Sequence, residues 1–280
     1  VSFHHNLFCQ VMPMSWILLL DAGNTNIKIS LAHENGLQSV INLPADVRET
    51  SDSLGLKICE YLRLENVSPA EIRVWLVSSV VPLLDETLRS ACARFCSCPC
   101  FFVPENIKLP INNLYSRPRE VGSDRLVTAF GARRLYSQAG IIVIDFGTAT
   151  TFDCIVNNDY LGGLICPGIN SSIKALSSQT AKLPQFSLNY ADKELEIGRS
   201  TAQSLSQGTL FGFADMVEGL VARIKLKMPS GVIVVGTGGM ADRLKNLCPS
   251  MQEVQPTLLL QGLQILSTEN RLIKPQQTTL

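Results

Sequence analysis

The chain has 280 residues, 24 basic and 24 acidic side chains, a formal net charge of zero and 46% hydrophobic residues. That balance excludes electrostatic steering to nucleic acid or to an anionic membrane, and the apolar content suffices for two modest domains or one large one. The apolar run Trp16–Leu20 is too short for a membrane span, and no lysine precedes Lys28, so the basic region of a signal peptide is missing.

A cytoplasmic protein is therefore expected. Residues 1–13 fit no strand or helix pattern and read as an N-terminal extension, with Met14 as a natural start. A strand is predicted over 16–20, then strands over 27–33 and 37–43 joined as a hairpin at Asn35-Gly36. A helix is expected near 51–64. The run "VWLVSSV" predicts a strand ending at Val80, after which Pro82 opens a helix. A short strand at 101–103 leads into a loop with Pro104, Pro110 and Pro118.

Residues 123–137 read as a helix, with Leu126, Val127, Phe130 and Leu135 roughly on one face, a face that suits either core or a dimer contact. The run "IIVIDFGTATTFDCIV" predicts strand, polar turn and strand. A long helix is predicted over 204–226, a strand running into a glycine turn over 232–240, and a last helix over 258–266. Hairpins alternating with crossover helices imply an α/β fold, mixed sheets flanked by helices.

The nine cysteines have no secretion signal beside them, so reduced thiols are the expectation. Four cluster in "CARFCSCPC": Cys92, Cys96, Cys98 and Cys100. Their spacings differ from paired C-x2-C zinc ligands and no histidine is near, so they read as thiols on a helix end and its following loop. Cys154 and Cys166 read as small core residues. His4, His5 and His33 all lie away from the polar motifs, which argues against Ser-His-Asp or Cys-His chemistry. Tyr190, in a long polar connection, receives no role.

"ILLLDAGNTNIKIS" and "IIVIDFGTATTFDCI" share one plan: apolar strand, Asp, any residue, Gly, small polar residues, second strand. Asp21 matches Asp145, Gly23 matches Gly147, and Thr25 falls close to the equivalent of Ala149. One unit in each half suggests two related domains facing each other. Glycine admits a close ligand, turn N–H groups can face an anion, and Lys28 adds positive charge. An Asp at a strand end can hold hydrated Mg²⁺, so two such loops could clamp a nucleotide for phosphoryl transfer. A single Asp-x-Gly is a common tight turn, and no Walker loop is present; the second copy and the glycines of 236–239 favour the ligand reading.

"DAGNTNIK" (21–28), "VSSVVP" (77–82), "GSDR" (122–125), "DFGTATTFD" (145–153), "GGLICPG" (162–168) and "GRST" (198–201), in this order, resemble the type III pantothenate kinases, over about residues 17–267. The resemblance implies the acetate kinase/sugar kinase/Hsp70/actin superfamily, with two ribonuclease-H-like (actin-like) domains, here 14–136 and 137–280. It implies a homodimer that phosphorylates pantothenate with ATP, the first step of coenzyme A synthesis, and that needs Mg²⁺ and a monovalent cation, K⁺ or NH4⁺.

By motif, the resemblance gives the ATP phosphates to Asp21, Ala22, Gly23, Asn24, Thr25, Asn26, Ile27, Lys28 and Thr148, with Mg²⁺ held at Asp21 through the phosphates. Pantothenate falls to Tyr115, Gly122, Ser123, Asp124, Arg125 and Thr201, with Asp124 as proton acceptor. The monovalent cation falls to Asp145. Asp124 is also a first-turn acid that suits a helix dipole. Arg125 offers a planar fork for a carboxylate or a phosphate oxygen, or for a surface ion pair. Asp153 is expected to support its own loop. The competing readings are a nucleotide-binding regulator of the same fold without kinase activity, and a sugar kinase or actin-like ATPase; intact Asp124, Arg125 and both Asp-x-Gly loops favour the kinase.

Overall fold

The computed structural model describes residues 16–33, 36–179, 186–192 and 194–272, so the expected extension 1–13 and Asn35 of the first turn lie outside the described residues. β1 (Trp16–Ala22) is apolar on both faces because both are covered. It pairs antiparallel with β2 (Asn26–His33), which pairs antiparallel with β3 (Gly36–Pro44). α1 (Ser51–Leu64) starts at Thr50, whose hydroxyl oxygen accepts the Ser53 N–H. β4 (Ile72–Ser79) lies parallel to β1. α2 (Pro82–Phe95) opens on proline, whose missing N–H is no loss in a first turn. β5 (Cys100–Val103) then lies parallel to β4.

The proline loop carries a two-residue strand, β6 (Asn112–Asn113), and leads into α3 (Ser123–Leu135). β7 (Gly140–Phe146), β8 (Ala149–Val156) and β9 (Asp159–Pro167) form an antiparallel meander. α4 (Ile169–Gln179), α5 (Thr201–Lys225), β10 (Ile233–Thr237), α6 (Ala241–Leu244), β11 (Glu253–Val254) and α7 (Leu258–Glu269) follow. α5 begins three residues before the predicted start because Ser200 caps it, accepting the Gln203 N–H. β9 and α4 are not predicted by periodicity. Two glycines interrupt β9, and Leu164 and Ile165 are both exposed, so no alternation survives.

The first sheet has the order β3-β2-β1-β4-β5 and the second β11-β10-β7-β8-β9-β6. Without β6, the second reads β9-β8-β7-β10-β11, which repeats the first strand for strand, with the same antiparallel and parallel neighbours. The duplication visible in two short motifs thus extends to the topology of both halves.

Strand alternation sorts the core into layers. Leu18 and Leu20 of β1 pack with Leu54 and Ile58 of α1 and Leu84 and Leu88 of α2. Ile17 and Leu19 face the other way, onto Val127 and Phe130 of α3 and Leu259 and Leu263 of α7. In the second sheet, Ile142 and Ile144 meet Leu210, Phe213 and Val217 of α5, while Ile141 and Val143 meet Leu126, Ala129 and Ala132 of α3 and Leu258 of α7. α3 and α7 are therefore a central layer shared by both sheets. The single apolar face expected of α3 is corrected: Leu126 and Val127 serve opposite sheets, Leu135 is 45% exposed, and the face weighed as a dimer contact is core.

α3 and α7 touch backbone to backbone at two glycines. A Cβ on Gly131 would lie 2.9 Å from the Gly262 Cα, and one on Gly262 would lie 2.6 Å from the Val127 carbonyl oxygen. Gly262→Ala is expected to destabilise the chain by about 1–3 kcal/mol through overpacking. Gly208→Ala, at an exposed position of α5 with open space around it, is expected to stabilise by about 0.5–1 kcal/mol. Urea unfolding midpoints of the two variants check both signs.

Candidate active site

Each half ends its central strand in a carboxylate at the same place. Asp21 stands opposite Lys28 of β2 and Ser78 of β4; Asp145 stands opposite Thr151 of β8 and Thr237 of β10. The turns after them close alike: the Gly23 N–H donates to the Asn26 carbonyl at 3.0 Å and the Gly147 N–H to the Ala149 carbonyl at 3.1 Å. The loops meet each other, Thr25 Oγ1 lying 2.8 Å from Thr148 Oγ1. Asn24, Thr25, Asn26 and Thr148 are exposed, as ligand-facing residues would be. Ala22 and Ile27 are fully buried in the core below, so only their backbone is available to a ligand.

The site holds more negative than positive charge. Burial pushes the Asp21 carboxyl up to about 7 against the pull of Lys28, with Asp145 and Asp124 adding to the rise. Burial likewise pushes Asp145 up to about 6, again opposed by Lys28 and helped by Asp124. Burial also raises Asp124, although the Arg125 N–H donates to its Oδ1 at 2.7 Å. Lys28 Nζ lies 3.7 Å from Asp21 Oδ2. Three desolvated carboxylates around one lysine have an affinity for cations. Among the described residues no group of three His, Cys, Asp or Glu is arranged to enclose a metal. Hydrated Mg²⁺ needs only one or two carboxylates beside phosphate oxygens, so the residues present fit it.

The start of α3 is tied to both sheets. Ser123 Oγ donates to the Ser79 carbonyl at 2.8 Å and lies 3.0 Å from Ser78 Oγ. Two residues on, Arg125 Nε donates to Asp153 Oδ1 at 2.8 Å, and its Nη2 lies 2.7 Å from the same oxygen. Tyr160 donates its hydroxyl to Oδ1 at 2.8 Å and Thr151 to Oδ2 at 3.2 Å. Asp124, between Ser123 and Arg125, is held at both shoulders.

This corrects one expectation and closes one alternative. Asp153 does not merely support its loop; it is the counter-charge of Arg125, and sequence reasoning missed it as a site residue. The signal was present: an Asp two residues after Thr151 on one strand shares its face, and an acid there is buried and requires a partner. Arg125 is no surface ion pair either. It is 9% exposed, with Nε and Nη2 both turned to Asp153 Oδ1. Tyr115 packs its ring against Gly162 and lies close enough to bear electrostatically on Arg125. Thr201 is the exposed first residue of α5 and takes no part in the contacts that gather the others.

The glycine turn after β10 closes on Asp145. Gly238 has φ of +85°, and a Cβ there would collide with Asp145 Oδ1 and lie 2.8 Å from the Phe146 carbonyl oxygen. A cavity of about 910 Å³ reaches Gly122 and Ser123 at the start of α3 and is lined also by Val80 and Leu126; its lining does not include the carboxylates of the loops.

Comparison with known proteins bears on the family. The family model described as type III pantothenate kinase matches residues 17–223. A type III pantothenate kinase of Nitratidesulfovibrio vulgaris is 47% identical over 253 residues, 90% of this chain and 97% of the relative. One of Desulfovibrio desulfuricans is 47% identical over 256 residues, 91% and 97%. Among solved structures, a Baf family protein from Campylobacter jejuni superposes with a TM-score of 0.57 at 20% identity, covering 91% of this chain and 98% of the other. A ROK family glucokinase from Streptomyces griseus gives 0.52 at 15%, covering 91% and 99%. At these identities the structural likeness bears on the fold alone.

Two outcomes are expected. Asp153→Ala leaves the buried Arg125 without its counter-charge and should cost about 3–5 kcal/mol in denaturant unfolding. The second concerns pH. Between the ordinary value of 3.8 and the raised values of Asp21 and Asp145, the folded chain binds more protons than the unfolded one. Their contribution to stability is thus present at low pH and lost as pH rises through about 6 to 7. Without added nucleotide or Mg²⁺ or K⁺, Asp21→Asn should flatten the loss of unfolding midpoint between acid and neutral pH.

Proposed function

We propose that this chain, which belongs to the type III pantothenate kinase family, transfers the γ-phosphoryl group of ATP to pantothenate, forming 4'-phosphopantothenate in the first step of coenzyme A synthesis. The observation that carries the reading is Asp124, held at the start of α3 within electrostatic reach of Asp21, Asp145 and Lys28. A proton acceptor therefore stands beside a loop pair suited to phosphates.

The exposed turn of Asp21–Lys28 cradles the ATP phosphates through backbone N–H groups, the Asn24 and Asn26 amides, the Thr25 hydroxyl and the Lys28 ammonium, and Thr148 closes from the second loop. Ala22 and Ile27 contribute backbone only. Asp124 accepts the proton of the pantothenate primary hydroxyl as the oxygen attacks, and its raised carboxyl makes it a better base at neutral pH than an ordinary aspartate. Tyr115, Gly122, Ser123, Arg125 and Thr201 bind pantothenate.

Mg²⁺, held at Asp21 through the phosphates, would neutralise charge on the transferring group. Asp145 holds the monovalent cation, K⁺ or NH4⁺. The chain works as two actin-like halves, 14–136 and 137–280, in a cytoplasmic homodimer. Exposed Leu161, Leu164 and Ile165 on β9 support pairing of copies. No helix among the described residues is long and apolar enough to cross a membrane.

Purified chain incubated with ATP, Mg²⁺ and K⁺ is expected to release ADP with pantothenate, and not with glucose or without an acceptor. ADP release indifferent to pantothenate would overturn the reading. Replacing K⁺ by Na⁺ should lower the rate; equal rates in the two salts would remove the cation role of Asp145.

A further inference from the structure

The cysteine cluster lies on the α1–α2 side of the first sheet, opposite the face that α3 covers. Cys92 sits in the last turn of α2, and its carbonyl accepts the N–H groups of Cys96 and Ser97, each at 3.0 Å. Ser97 then adopts a left-handed backbone, φ +51°, which reverses the chain at the helix end. The Pro99 carbonyl accepts the Trp75 N–H at 2.9 Å and so anchors the start of β5. Between these fixed points Cys98 is folded back over the helix it has just left. Cys92 Sγ lies 3.6 Å from Cys98 Sγ and 3.2 Å from the Cys98 carbonyl oxygen. Cys92 is fully buried, whereas Cys98 is half-buried.

We propose that Cys92 and Cys98 are an oxidisable dithiol that closes to an intramolecular disulfide by exchange with a low-molecular-weight disulfide. The two sulfurs are already in van der Waals contact, and closing to a bond of about 2.05 Å takes only a small approach within a seven-residue span. The two thiols differ in the way an exchange reaction requires. Hydrogen bonds from Cys92 and then Cys96 lower the Cys98 thiol below its usual range, and Cys98 is the less buried of the two residues, so it is the attacking sulfur. Cys92, whose thiol is pushed up by its bonds to Cys100 and Cys98 and by burial, is the sheltered resolving partner.

The exchange balances in two steps. The Cys98 thiolate attacks one sulfur of the small disulfide, forms a mixed disulfide and expels one thiolate. Cys92 gives its proton to that thiolate; its sulfur attacks the Cys98 sulfur and expels the second thiolate, which takes up the proton that Cys98 had released. Two protein thiols become one cystine, and one small disulfide becomes two thiols.

The test is oxidation of the folded full chain with oxidised glutathione, followed by alkylation of remaining thiols and tryptic digestion without reduction. Cleavage after Arg89, Arg94 and Lys108 places Cys92 in peptide 90–94 and Cys96, Cys98 and Cys100 in peptide 95–108. The two peptides should appear disulfide-linked and separate again with dithiothreitol. The link should be lost in Cys98→Ser and kept in Cys96→Ser and Cys100→Ser. Unlinked peptides, glutathione retained on Cys98, or a link that survives Cys98→Ser would each overturn the proposal. Circular dichroism of each variant confirms that the chain compared is folded.

Discussion

The buried pair of Arg125 and Asp153 is the interaction on which the rest of the site depends. Desolvating two charges is costly, and the pair is retained only because the Tyr160 and Thr151 hydroxyls satisfy the carboxylate while the guanidinium meets it along one edge. A well-packed apolar pair could hold the helix as firmly. What the ion pair adds is direction: it sets the α3 start against β8 of the second sheet while Ser123 sets it against β4 of the first. Asp124 lies between these two ties, and its carboxylate has a fixed place because the residues on either side have theirs.

The second constraint comes from the repeated topology. Two sheets of one design each end a central strand in an aspartate, and the shared α3–α7 layer brings the loops together until Thr25 touches Thr148. Placing Asp21, Asp145 and Asp124 around Lys28 is unfavourable for the bare chain, as the raised carboxyls show. Local destabilisation of that kind is a common feature of functional sites, where bound charge relieves it. The Gly238 turn passes so near Asp145 that a Cβ there would collide with its carboxylate.

Much of this was legible in the sequence because it is local. The existence of β1 and β7, the proline start of α2 and the span of α1 follow from local pattern, β1 running two residues past its predicted end. The two Asp-x-Gly turns could be compared side by side, and their equivalence extends to strand order. What escaped the sequence depends on distant partners. The two-sided burial of α3 requires knowing that both sheets pack on it, and a helix whose core residues are divided between two faces shows a poor single face. Asp153 lies 28 residues from Arg125; its place on the strand marks it as a buried acid in need of a partner, but not which partner. β9, with Gly162 and Gly163 inside it, carries no alternation to read. The meeting of Cys92 and Cys98 rests on one left-handed residue, Ser97, of a type that does not announce that conformation.

The central claim is that Asp124 acts on the proton of the pantothenate hydroxyl and not chiefly in holding the substrate. Single-turnover phosphorylation by Asp124→Asn, measured beside calorimetric binding of pantothenate in the presence of a non-hydrolysable ATP analogue, separates the two. A positioned general base predicts a chemical step slowed by about 10²–10⁴-fold with pantothenate affinity largely kept. An unchanged chemical rate, or a loss accounted for entirely by weaker binding, would contradict it.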